Sequence, residues 1–179
     1  MRFGPLVCLT VLAACGSNEA PESPGVTKQT RVTVTPQQTV DLTRQQTIYA
    51  VDFMAPRKRV WNAVMASQTA LGIPAAKIDD GTGTLVFLLQ DRTGKVVGRP
   101  ASAIVDCGMG AAGPRADSYR LTIRISQKIE SLAENHTRIS TLVEAWARSP
   151  GLSMDRIECS SIGTLERHMV GLISANLQP

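Results

Sequence analysis

The amino-acid sequence predicts an α+β fold in which a curved antiparallel sheet packs against two helices. Residues 119–126 and 139–147 alternate apolar and polar side chains, as strands with one solvent-exposed face do. Residues 56–71 and 164–177 carry apolar side chains at the 3.6-residue spacing of an amphipathic helix. Several strands occur in runs before and between these helices, which favours an α+β fold over a parallel α/β fold.

The first part of the folded region predicts strands followed by a helix. Residues 27–35, 40–42 and 47–53 are β-prone. Pro56 suits the first turn of the helix, where a missing N–H costs nothing. Gly72 suits its C-terminal cap.

The region between the two helices predicts turns and short strands. Short apolar or β-prone runs occupy residues 77–79, 84–89, 96–97, 103–107 and 156–160. Residues 80–83 and 91–94 have the composition of hairpin turns, and residues 108–113 form a glycine-rich loop. Thr164 is the predicted N-cap of the closing helix, with Glu166 in its first turn.

Composition limits the class of protein. A chain of 179 residues suits one domain, and 43% apolar with 19% charged residues permits a packed, mainly aliphatic core. The net charge of +4 is too small to indicate a nucleic-acid partner. Two histidines and four cysteines offer little material for a metal site, and we expect neither a metal nor another cofactor.

The N-terminus has the organisation of an export signal. Arg2 supplies a positive charge, and residues 6–12 form an apolar segment too short to span a membrane. Leu12, Ala13, Ala14 and Cys15 then follow in sequence. This stretch resembles the lipobox of bacterial lipoprotein precursors, which implies cleavage between Ala14 and Cys15 and acylation of Cys15, palmitate included. An ordinary secretory signal ending near a cysteine is the alternative.

The lipoprotein resemblance also implies a location. Stable anchoring needs more than one acyl chain, and the lipoprotein pathway adds three. Gly16 stands where lipoproteins retained in the inner membrane have aspartate, so the resemblance implies the outer membrane, facing the periplasm. We expect a signal peptide over residues 1–14, a lipidated flexible tether over residues 15–26 and one domain over residues 27–179.

Two cysteines remain if Cys8 leaves with the signal and Cys15 carries lipid. Cys107 and Cys159 form an even pair in a chain expected to leave the cytosol, where disulfides persist. Each lies beside a predicted strand end. We therefore predict a Cys107–Cys159 disulfide, with two buried free thiols as the alternative.

The order of elements resembles the helix-grip arrangement of the BamC family of outer-membrane assembly lipoproteins. The resemblance rests on the lipobox, on Val60-Trp61 and Leu71-Gly72-Ile73 leading into Asp79, and on the closing helix. It covers about residues 48–177. It implies a fold, an envelope-assembly role and an envelope protein as partner.

Four arginines are candidate contacts for an anion or a partner. Arg120 and Arg124 share the polar face of one strand, and Arg138 and Arg148 lie on its predicted neighbour. Such a stripe can meet lipopolysaccharide, anionic lipid headgroups or peptidoglycan carboxylates. The alternative is a solvated face whose arginine stems cover apolar surface, and Glu144 is expected to neutralise part of the charge.

Three further patterns resemble catalytic or ligand-binding motifs, and we assign none of them to a catalytic or cofactor site. Residues 108–113 read G-x-G-x-x-G, but no helix is predicted to begin inside the motif, as dinucleotide binding requires. Residues 79–81 lack the ligand spacing of a calcium loop and suit a hairpin turn. A serine triad would have to be drawn from Ser160, Ser161, His168 and Asp155, and neither serine has a nucleophile-elbow sequence.

The sequence thus predicts a lipid-anchored, non-catalytic scaffold or accessory module. The main alternative is a binding module for a small apolar or lipidic ligand, held between the sheet and the closing helix. Five bulky side chains can fill that space instead: Leu121, Ile123, Ile125, Leu172 and Ile173. Trp146, which alternates with the inward-facing set, is expected to be exposed beside Arg148.

Overall fold

A computed structural model describes residues 26–35, 38–150 and 156–178. The predicted signal peptide, Cys15 and the predicted tether as far as residue 25 lie outside these residues, as does Asp155. The described part of the chain confirms the coarse prediction of an α+β fold, because it contains an open antiparallel sheet and helices.

The strands and helices follow one another in chain order. They are β1 (Val26–Thr35), β2 (Gln38–Gln46), β3 (Ile48–Phe53), α1 (Arg57–Ala70), β4 (Ala75–Asp79), β5 (Thr84–Arg92), β6 (Lys95–Val96), β7 (Arg99–Pro100), a 3-10 turn (Ala101–Ala103), β8 (Val105–Asp106), β9 (Met109–Gly110), β10 (Gly113–Pro114), α2 (Arg115–Ser118), β11 (Arg120–Ala133), β12 (His136–Arg148), β13 (Arg156–Ser161) and α3 (Thr164–Asn176).

Seven strands form the main sheet. Strands β4, β5, β11 and β12 lie side by side in that order, and all their pairings are antiparallel. The far edge of β12 is shared, because β3 pairs with residues 137–142 and β13 with residues 145–148. Strand β8 pairs with β13, while β1 and β2 form a separate two-stranded ribbon.

The long hairpin of β11 and β12 has the two faces that the alternation predicts. One face is buried in the core: Leu121, Ile123, Ile125, Ile129, Ile139, Val143, Ala145 and Ala147. The other face, called the open face below, carries the polar side chains between them, all of them exposed or half-buried. A period of two places every second side chain on the same face, so this part of the prediction is confirmed.

Helices α1 and α3 contact one another and contribute to the core on the buried face. Helix α1 follows Pro56, and Gly72 beyond its end has φ +64, as the predicted cap requires. The N-cap of α3 is Gly163 with φ +79, so Thr164 is the first helical residue and its predicted role as the cap is wrong. Glu166 lies in the first turn, as predicted.

The second predicted hairpin turn lies elsewhere in the structure. Strand β5 extends through Asp91 and Arg92, and the tight turn instead joins β6 to β7 at Val97 and Gly98. Both turn residues have positive φ, +44 and +78, as a two-residue type I′ hairpin requires. A β-branched residue disfavours that conformation, which is why the sequence did not indicate a turn at this position.

Candidate functional site

All four predicted arginines are exposed on the open face, but the sheet register separates them. Arg120 lies directly opposite Arg148, Arg124 opposite Glu144, and Glu130 opposite Arg138. The stripe is therefore not one uniform charged surface, because Arg124 and Arg138 lie opposite glutamates whereas Arg120 and Arg148 lie opposite each other.

Arg138 forms an ion pair with Asp52 at the end of the open face nearest the β11–β12 turn. Its Nε and Nη2 atoms donate to the two carboxylate oxygens of Asp52 at 2.6 and 2.8 Å, and His136 Nε2 lies 3.2 Å from the same carboxylate. The hydrogen bonds from Arg138 hold the pKa of Asp52 below its ordinary value, and the same contact raises the pKa of Arg138. We call Asp52, His136 and Arg138 the clamp; its fork geometry fixes β3 on β12.

Arg124 has a partial partner. Its Nε atom lies 4.0 Å from Glu144 Oε2 across the β11–β12 pair. The expected neutralisation by Glu144 is therefore present, at the outer limit of an ion pair and on an open surface, where such contacts contribute little to stability.

The remaining two arginines belong to a row of three. Arg148 pairs in register with Arg120 on one side and with Arg156 of β13 on the other. We call Arg120, Arg148 and Arg156 the arginine row. Sequence reasoning missed Arg156, because its place depends on how β13 pairs with β12, and the local pattern indicates only that a strand begins there.

Trp146 lies one row inward from the arginine row on the open face. It is half-buried, and the guanidinium carbon of Arg156 lies 4.0 Å from its ring centroid. Stacking on an aromatic face orients a guanidinium while leaving the N–H groups at its edge available to an anion. Trp146 shares its face with Arg148, as predicted, but its side chain is half-buried rather than exposed.

Cys107 and Cys159 meet at the edge of the sheet. Their Sγ atoms are 1.99 Å apart and their Cα atoms 4.3 Å apart, which is the distance of a disulfide. Cys107 follows β8 and Cys159 lies on β13, so the predicted pair joins two neighbouring strands.

The glycine-rich segment differs from the predicted loop. Residues 108–113 include β9 and part of β10, which pair as a minute hairpin, and the one-turn helix α2 begins at Arg115. As predicted, no helix begins inside the motif, although a short helix that was not predicted follows it. The helix starts after the third glycine and has four residues, so it offers no helix N-terminus inside the motif for a pyrophosphate.

Ser161, weighed as a nucleophile, has a structural partner. Its hydroxyl donates to Glu166 Oε1 at 2.6 Å and accepts a hydrogen bond from the backbone N–H of Gly163 at 3.2 Å. A glutamate at the third helical position normally bonds the N-cap N–H itself. In this protein the serine hydroxyl relays that contact, so Ser161 serves the start of α3.

The predicted turn at residues 79–83 is also explained by its own hydrogen bonds. Asp79 Oδ1 accepts the backbone N–H of Thr82 at 3.0 Å, and this bond is the main cause that lowers the pKa of Asp79. Among the described residues no group of three or more His, Cys, Asp or Glu side chains is arranged to hold a metal ion.

The space between the sheet and α3 is filled by apolar side chains. Leu121, Ile123, Ile125 and Ile173 are fully buried there, and Leu172 is half-buried. A separate cleft of about 320 Å³ lies beyond the end of α1, between Leu71, Leu89 and Val96. Arg92 and Lys95 also line this cleft.

No protein-family model matches the chain, and no curated protein is significantly similar to it. The structure itself defines an α+β protein with an open antiparallel sheet. In the described part of the chain, each helix is too short or too polar to cross a membrane.

Proposed function

We propose that the protein is a lipid-anchored component of the bacterial cell envelope whose domain acts by contact, as a non-catalytic scaffold or accessory module. The observation that carries the proposal is the sequence Leu12-Ala13-Ala14-Cys15 directly after a short apolar segment. The anchor holds the domain at the membrane, with Gly16 favouring the periplasmic face of the outer membrane.

The Cys107–Cys159 disulfide at the sheet edge supports export without relying on the N-terminal sequence. Disulfides persist in the periplasm and outside the cell and are rare in the cytosol. Cys107 and Cys159 lie at bonding distance in a structure whose strands and helices have no other covalent link among the described residues.

The domain is proposed to be of the helix-grip type and to serve envelope assembly with a protein partner. Support comes from the packing of α1 and α3 on one face of an open antiparallel sheet. The opposite face carries exposed and half-buried side chains in the described part of the chain and offers a broad surface for a partner. The buried apolar core argues for a role in contact rather than enclosure.

Anchoring is tested by expressing the full chain and Cys15→Ser in a bacterium and separating membrane from soluble protein. We expect the unsubstituted chain in the membrane fraction, with an intact mass that begins at Cys15 and includes acyl groups, and Cys15→Ser in the soluble fraction or unprocessed. Cys8→Ser is the matched control and should behave like the unsubstituted chain. An unacylated N-terminus in the unsubstituted chain would overturn the proposal.

A ligand-binding module is the second candidate, and the cleft beyond α1 favours it for a small acidic molecule. Apolar Leu71, Leu89 and Val96 line the cleft together with two cationic side chains, Arg92 and Lys95. That lining suits a small molecule with an acidic group, because most of the exposed lining is polar. Native mass spectrometry separates the candidates: a retained small molecule favours the cleft, and a retained protein favours the scaffold.

A further inference from the structure

Three like charges meet across adjacent strands at one end of the open face. Neighbouring strands lie about 4.8 Å apart, and Arg120, Arg148 and Arg156 occupy directly paired positions on three of them. Like charges opposite one another destabilise a sheet. The arginine row therefore destabilises the fold unless a bound anion neutralises its charge.

The described residues do not supply that anion to the two arginines of the long hairpin. Arg120 and Arg148 have no ion pair or side-chain hydrogen bond there, whereas Glu144 faces Arg124. Glu158 lies one row further in, beside Trp146. The charge of the row is thus directed outward, on a face that lies opposite α1 and α3.

The chemistry of the row suits phosphate groups. A guanidinium presents parallel N–H donors that match two oxygens of a phosphate. Stacking on Trp146 presents Arg156 in a fixed orientation. The indole itself is an amphipathic side chain of the kind found where a protein surface meets the headgroup layer.

The tether is long enough for this face to reach the membrane if Cys15 is acylated, so this step rests on the proposed function. The ten residues between Cys15 and Val26 can span at most about 40 Å. Val26 pairs with Gln46, which precedes β3. Ile48, the first residue of β3, lies opposite Leu142, and Leu142 is about 20 Å along β12 from Arg148.

We propose that the arginine row, with Trp146 beside it, is a docking site for anionic phospholipid headgroups. The open face then lies against the bilayer that holds the acyl anchor, and the row orients the domain on that bilayer. Each basic side chain near an anionic surface strengthens binding by roughly fivefold. The row thereby adds an electrostatic contact to the acyl anchor.

The test uses the full chain carrying Cys15→Ser, so that no acyl group contributes. Co-sedimentation measures partitioning onto vesicles of phosphatidylcholine alone and of phosphatidylcholine with phosphatidylglycerol. We compare this chain with Arg120→Gln/Arg148→Gln. The matched control is Lys58→Gln/Arg167→Gln, which removes the same charge from exposed positions on α1 and α3.

On the anionic vesicles we expect a roughly thirtyfold loss of partitioning for Arg120→Gln/Arg148→Gln and less than about twofold for the control. Added salt should weaken the binding of the unsubstituted arginine row. Equal losses in the two double variants would overturn the proposal, and so would a loss for Arg120→Gln/Arg148→Gln that is the same on both kinds of vesicle. Displacement by inorganic phosphate at the concentration of the lipid phosphate would assign the row to free phosphate and also overturn it.

Two further readouts accompany the vesicle measurement. Far-UV circular dichroism shows that each double variant is folded. In a Trp61→Phe background, the fluorescence of Trp146 should shift on anionic vesicles. Because the vesicle experiment omits the acyl group, its failure contradicts only the docking site, whereas an unacylated Cys15 contradicts only the anchor.

Discussion

At the turn end of the open face, Arg138 is held by both oxygens of Asp52 and shares that carboxylate with His136. About 33 Å away along the same strand, Arg148 lies between two other arginines. The sheet, its open face and the residue type are the same at both ends, and only the cross-strand neighbours differ. We therefore expect arginine to stabilise the fold at the first end and to destabilise it slightly at the second.

The two ends are also held together differently. Near the clamp, β5 follows a tight turn in which Gly83 contacts Ile129, and Arg57 forms an ion pair with Asp80. Near the arginine row, the Cys107–Cys159 pair ties β8 to β13. Near the arginine row a covalent link thus holds the edge of the sheet, whereas the clamp depends on ion pairs and hydrogen bonds.

The largest effect should come from removing this covalent link. Replacing both cysteines, as in Cys107→Ser/Cys159→Ser, should lower the free energy of unfolding by about 4 kcal/mol, because the cross-link closes a long loop and restricts the unfolded chain. Urea unfolding of the oxidised protein and the double variant measures the difference. Reduction of the unsubstituted protein should reproduce the effect; identical urea midpoints for the oxidised and reduced protein would contradict the structural role of the pair.

A slightly smaller effect is expected near the clamp from Gly83→Ala. A Cβ at Gly83 would lie 2.3 Å from the carbonyl oxygen of Ile129, and φ is +72. We expect the free energy of unfolding to fall by about 3 kcal/mol, because Ala must adopt a left-handed backbone conformation and because the hydrogen bond from Ile129 N–H to the Gly83 carbonyl is disturbed.

Gly72→Ala is the matched control for Gly83→Ala in the same urea measurement. Gly72 also has positive φ, +64, but apart from its own chain neighbours no atom of the described residues lies within 4 Å of the added Cβ. Gly72→Ala should lower the free energy of unfolding by about 1 kcal/mol, which is the cost of the left-handed backbone conformation alone. Equal losses at the two glycines would show that the close approach to Ile129 is unimportant.

The clamp should give a smaller, pH-dependent effect. Because the folded-state pKa of Asp52 is lowered, its contribution to stability is complete above its ordinary pKa of 3.8 and is lost as pH falls through the folded-state value. Asp52→Asn should therefore destabilise the protein slightly at pH 7, and the difference should shrink in acid. Urea midpoints of the two proteins at pH 7 and pH 3 measure this difference in stability. A difference that grows in acid would contradict a stabilising role of the clamp.

The two ends of the open face also show how much of the structure can be predicted from the sequence. The period of two identified the hairpin of β11 and β12, since each strand has one buried face. The two helices were found in the same way, from the spacing of side chains such as Val60 and Ile173. These signals are local, and burial imposes them on every second or every third to fourth residue.

The sequence does not indicate which charged residues meet. Asp52 and Arg138 are 86 residues apart along the chain, and Arg156 joins the arginine row only through the register of β13 on β12. Both depend on long-range strand pairing, which leaves no periodic signal. The turn at Val97 was missed for another reason, because the hairpin imposes on a β-branched residue a backbone conformation that its own propensity opposes.

The smallest expected effect tests the difference between the two ends most sharply, because its sign changes from one end to the other. Arg148→Gln should leave the free energy of unfolding unchanged or raise it by about 0.5 kcal/mol, since it removes repulsion from Arg120 and Arg156. Arg138→Gln changes the same residue type on the same strand and should lower stability, since it breaks the contact with Asp52. Chemical unfolding at low ionic strength measures both, and added salt should reduce any gain at Arg148. If Arg148→Gln destabilised the fold as Arg138→Gln does, the arginine row would be bound within the protein, and arginine would play the same part at both ends of the open face.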